Sequence, residues 1–168
     1  MTASYALGAW RDLVIWVVDG HTPLDELKRL RSRVAEWRQQ RAARKNVALT
    51  VLYPSPSTMS TEERLTVARM IDETKHDRTA SATVVLADGI LGALHRSILT
   101  GLSIVVPSPH PVRISADLGT AITFVLPHVE RLCGPIEHGE IEAMVADLHA
   151  HILAARRGEE SAAEHRGP

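Results

Sequence analysis

Four short β-branched apolar runs, each followed by a long amphipathic stretch, constrain this chain more than any other feature. They are Leu13 to Val18 (LVIWVV), Val47 to Tyr53 (VALTVLY), Thr83 to Ala87 (TVVLA) and Pro111 to Ala116 (PVRISA). Strands alternating with helices imply βαβ units, because parallel neighbours need a long crossover between them. The expectation is an α/β fold with a mostly parallel or mixed central sheet of about five strands, four helices and an extra C-terminal helix.

At 168 residues the natural reading is one domain, burying roughly 70% of the surface its unfolded chain exposes. The composition is 45% hydrophobic but only 4% aromatic, so the core must be aliphatic and few rings remain for stacking on bases. A formal net charge of -1 offers no general attraction to nucleic acid or anionic membrane, and no nucleic-acid partner is expected. The single cysteine, Cys133, excludes an intramolecular disulfide and reads as a small packing residue. The N-terminus lacks the basic segment and apolar run of a signal peptide, and no run is long enough to span a bilayer. A cytoplasmic protein without membrane insertion is the expectation.

Ser4 to Ala9 reads as an edge strand that turns at Trp10-Arg11-Asp12 into the next run. Thr22-Pro23 opens a helix with a hydroxyl at the N-cap and proline at the first helical position, and Leu24, Leu27, Leu30, Val34 and Trp37 make its buried stripe. Pro54 to Met59 is a loop, and Ser60-Thr61-Glu62-Glu63 fits the capping box of a second helix with Leu65, Ala68, Ile71 and Lys75 at helical spacing. Asp88-Gly89 leads into a third, with Ile90, Leu91, Leu94, Ile98 and Leu99 on one face and Gly101 ending it or marking close packing. Asp117 caps a fourth through about Leu132, which Pro127 should kink or shorten. The organisation is then a domain over 1–132, an amphipathic helix over 133–157 and a disordered tail over 158–168.

The order strand, strand, helix, strand, helix, strand, helix, strand, helix resembles the STAS-like domains, the bacterial anti-sigma-factor antagonists and their SpoIIAA-like relatives. The resemblance covers Ser4 to Leu132 and rests on the entry LVIWVVDGHTP at Leu13 to Pro23, the Pro-rich loop between Tyr53 and Ser60, and the strand Pro111-Val112-Arg113-Ile114 before a final helix. It implies a non-enzymatic domain that regulates or scaffolds by protein contact. In antagonists of that family a serine near the start of the second helix is phosphorylated, typically in an Asp-Ser-Ser-Gly element. The corresponding hydroxyls here are Ser57, Thr58, Ser60 and Thr61, in the sequence PSPSTMSTEE, which has no glycine and two following glutamates.

Other candidates come from the residues alone. Ligands of open α/β sheets bind at the carboxyl ends of the strands, where this chain carries Asp19, His21, Tyr53 and Asp88. These groups suit acid and base work, although helix capping and turn formation by themselves account for the aspartates and are the favoured reading. No Walker loop, nucleophile elbow or dinucleotide fingerprint accompanies them, and no cofactor is implied. The nine histidines are scattered; pairs such as His138 with Glu142 do not make a metal site. Eight basic residues between Lys28 and Lys45, against the single acid Glu36, give one helix a positive outer surface.

The stripe Ile141, Met144, Val145, Leu148 and Ile152 in the last helix must be covered, either by the chain's own sheet or by a second copy in a homodimer, with Ile141, Val145, Leu148 and Ile152 at its centre. The leading expectation is thus a STAS-like interaction domain with an unidentified protein partner meeting it near Tyr53 to Glu63. The alternatives are a small enzyme or ligand-binding domain using the strand-end pocket, and a structural homo-oligomer.

Overall fold

The computed structural model describes residues 4–41, 44–55, 59–87, 89–105 and 107–164, with backbone alone at 102, 103, 105 and 159–164. Five strands form one sheet in sequence order: β1 (Tyr5–Trp10), β2 (Leu13–Asp19), β3 (Asn46–Tyr53), β4 (Arg78–Val85) and β5 (Val112–Ser115). β1 and β2 are an antiparallel hairpin, and every later neighbour is parallel. The α/β class and mixed sheet expected from the alternation are therefore what the chain adopts. Arg11 makes the hairpin turn in the left-handed region, at φ 51.

The helices are α1 (Leu24–Gln40), α2 (Thr61–Thr74), α3 (Gly89–Val105), α4 (Leu118–Cys133) and α5 (His138–Glu164). Strand alternation assigns the faces. Leu13, Ile15 and Val17, with Val47, Leu49 and Val51 and with Ala80, Ala82 and Val84, point into the core built by α4 and α5. The opposite face of β1–β3, including Val14, Trp16 and Ala48, lies toward α1 and α2.

β4 begins five residues before the apolar run that announced it. Its first half, RTASA, has no hydrophobic signature, yet Ala80 and Ala82 are fully buried, because small side chains let α4 sit close to the sheet. Pro127 does not stop α4, which continues to Cys133. The proline and Thr123, whose carbonyl loses its amide donor, are both on the exposed side, where water replaces the bond, while Val125 and Val129 stay buried.

The N-cap of α1 is Pro23, and Thr22 does not cap it. Thr22 is instead buried beside Ser4, whose hydroxyl donates to the Glu26 carboxylate at 2.7 Å and lies 3.2 Å from the Thr22 oxygen. α2 is rotated from the expected stripe: Leu65 is exposed, and the inward residues are Glu63, Thr66, Met70 and Thr74. Both threonines can be buried because their hydroxyls donate to carbonyls one turn back, at 2.9 and 2.8 Å. On α3 the expected buried face is largely solvent-facing: Ile90, Leu94 and Ile98 are exposed. Its first turn packs on the chain through Gly92, where a Cβ would stand 1.9 Å from the Ala87 carbonyl oxygen. Nothing approaches Gly101, which the helix passes through.

α5 is part of the core. Ile141, Val145 and Ile152 are buried against the sheet, and Leu148 is half-buried over Gly8. The stripe therefore takes the fold-back arrangement, and these four residues supply no open face for a homodimer. Nor does the expected tail start at Gly158; the backbone remains helical to Glu164, through EESAAE, a run rich in helix formers.

Candidate functional site

Asp19 and Tyr53 end adjacent parallel strands and face each other in register, so both project at the carboxyl edge on the α5 side. Gly20, at φ 83, turns the chain away there, and its amide donates to the Tyr53 carbonyl at 2.8 Å. α5 crosses this edge with two residues that sequence reasoning did not pair with it. The His149 ring stacks on Tyr53, with centroids 3.9 Å apart and planes 13° apart, and its Nε2 lies 3.0 Å from Asp19 Oδ2. Arg156 adds an Nη1 contact of 3.2 Å to the same oxygen and donates through Nη2 to the Asp19 carbonyl. Burial, then the neighbouring Asp19 charge, push the Tyr53 phenol above its usual range, so it stays a neutral hydroxyl at physiological pH.

Asp19 Oδ2 is shared by His149 and Arg156, an arrangement that clamps α5 to the ends of β2 and β3. Separations of 130 and 137 residues hid these partners from any local pattern.

His21 belongs to a second group. Its Nε2 lies 3.2 Å from Oε1 of buried Glu63. Glu63 Oε2 accepts from the Ser60 amide at 2.7 Å, and the Ser60 hydroxyl accepts from the Glu63 amide at 3.2 Å, which completes the predicted capping box. Thr61, the first residue of α2, is exposed. Ser57, Thr58 and Asp88 lie outside the described residues. Asp117 caps α4 as expected; its carboxylate accepts from the Thr120 amide at 2.6 Å, and hydrogen bonding from Thr120, side chain first and then amide, lowers its pKa.

At least four of the eight basic residues between Lys28 and Lys45 are paired with carboxylates, three with α2 and its flank and one with the β1–β2 turn. Arg31 pairs with Glu73, Arg38 with Asp77, Arg41 with Asp12 and Lys28 with Glu62. Cys133 is buried, its Sγ accepting from the Asp12 amide at 3.3 Å. Among the described residues no group of three or more His, Cys, Asp or Glu could hold a metal ion, and no helix is long and apolar enough to cross a membrane. Asp19, His21 and Tyr53 do not line the cavity beneath α1 and α2. No family model, curated protein or solved structure matches the chain.

Proposed function

We propose that this chain is a non-enzymatic regulatory or scaffolding domain of the STAS-like type, which acts by contact with a protein partner. The observation that carries the reading is the apolar stripe on α3. Ile90 is 89% exposed and Ile104 76%, with Leu94 and Ile98 between them on the same side of the helix. Four large apolar side chains exposed on one side of a single helix mark an interaction site. By contrast, the titratable groups at the strand ends are spent on one another.

The placement of α3 supports the same surface that the resemblance implies. α2 and α3 follow the carboxyl ends of adjacent parallel strands, so their N-termini share one edge of the sheet. Exposed Met59 and Thr61 therefore lie at the same edge as Ile90. A phosphate on Thr61 would meet the positive end of α2, with Glu62 and Glu63 opposing it. On Ser60 it would displace the capping box; Ser57 and Thr58 are free of that objection.

The test is affinity capture from the native host with wild type and an Ile90→Asp/Leu94→Asp double variant, each first shown to melt at the same temperature. The reading expects a partner held by wild type and lost by the variant. Identical capture by both, or no partner at all, refutes it. Mass spectrometry of the same material, finding no phosphate from Ser55 to Thr61 under several growth conditions, would remove the switch and leave the contact.

A further inference from the structure

The sheet face beneath α1 and α2 borders an open cavity of about 220 Å³. Val14, Trp16, Trp37, Ala48 and Met70 give it an apolar wall, and Arg78, the first residue of β4, stands at the amino end of the sheet. Two polar groups in this lining lack partners. The Trp16 indole N–H is buried and makes no hydrogen bond. The Arg78 guanidinium makes no hydrogen bond or ion pair with any described residue, because the adjacent Asp77 carboxylate is taken by Arg38.

An unpaired buried donor such as the Trp16 N–H is rare and costly, and the half-buried Arg78 guanidinium keeps its donors available to an anion. Burial pushes the Arg78 pKa down to about 10, so the group is still charged at neutral pH. An anion with an apolar body matches an apolar wall that carries a cation at one end.

We propose that this cavity binds a small amphipathic carboxylate, with its apolar body against Val14, Ala48 and Met70, its carboxylate on Arg78, and the Trp16 N–H as a further donor. A guanidinium is suited to the task because its fork matches a carboxylate. Scaled from an apolar cavity of about 150 Å³ that takes benzene, the volume fits about nine non-hydrogen atoms. Octanoate and benzoate are probes of that size, one aliphatic and one aromatic. The site is separate from the α3 surface, so either proposal can fail alone.

The test is calorimetric titration of the full chain with octanoate, benzoate and their neutral counterparts octanol and benzyl alcohol. The expected result is a Kd below about 1 mM for one carboxylate, about tenfold tighter than for its alcohol. Arg78→Gln should erase that difference, Arg78→Lys should keep part of it, and Trp16→Phe should weaken binding. Ala48→Leu, which fills the cavity, should abolish binding of every probe. Failure of both carboxylates to bind wild type at about 10 mM, equal affinity for acid and alcohol, or binding that survives Ala48→Leu would overturn the proposal. If Arg78→Gln does not fold, the acid-to-alcohol comparison on wild type and the Ala48→Leu variant decide the matter. Preference for octanoate identifies an acyl chain, and preference for benzoate an aryl acid.

Discussion

Replacing Ile141 or Ile152 by alanine tests whether α5 is an integral part of the core. The two side chains are 0% and 1% exposed, so each substitution removes fully buried methylenes and leaves a cavity. Such changes cost about 2–5 kcal/mol, a large share of the roughly 5–15 kcal/mol that holds a domain together. In a chain of this size each kcal/mol moves the melting temperature by about 2–4 °C, so each variant should melt roughly 4–20 °C lower. The assay is thermal unfolding at two protein concentrations about tenfold apart, alongside light scattering. Burial against the chain's own sheet predicts the same loss at both concentrations and an unchanged mass. Leu148→Glu sharpens the contrast. Leu148 Cδ1 lies 3.0 Å from where a Cβ on Gly8 would stand, so the carboxylate would land against β1 and lower stability without changing mass. Alanine variants that melt within about 1 °C of wild type, or a mass that halves on mutation, would refute the argument.

Two further outcomes follow from local geometry. Ser60→Ala removes the hydroxyl that accepts the Glu63 amide and should cost about 1 kcal/mol by chemical denaturation, whereas Thr61→Ala, at an exposed position, should cost far less. His110 is buried, with Nδ1 2.9 Å from the Lys75 carbonyl and Nε2 3.0 Å from the Ser81 hydroxyl, and burial first holds its pKa below the ordinary imidazole value. Because the unfolded chain then binds the proton more readily, His110 favours folding fully above about pH 6.5, and that contribution falls as pH drops toward the lower folded pKa. Stability measured from about pH 7.5 to 5 should decline, and His110→Gln should flatten the decline; an unchanged slope would contradict the assignment.

What the sequence alone determined is whatever its local periodicity encodes. Short β-branched apolar runs placed β2 and β3 to within a residue, and Ser60 to Glu63 announced its own capping box, because both are built from neighbours a few positions apart. Tertiary structure decided everything that depends on a distant partner. Thr22 was drawn from capping into contact with Ser4, β4 gained a buried start of small residues because α4 needed room, and the threonines of α2 could turn inward because backbone carbonyls satisfied them. The α3 stripe carried the right period for a buried face, but a period tells only that one side is apolar, and whether anything covers that side depends on the other elements. The candidate site divides in the same way. Asp19, His21 and Tyr53 were legible at strand ends, whereas His149 and Arg156, which neutralise Asp19, come from the far end of the chain. The Arg78 and Trp16 cavity was invisible for the same physical reason: a void is what remains between packed layers, and no residue encodes it.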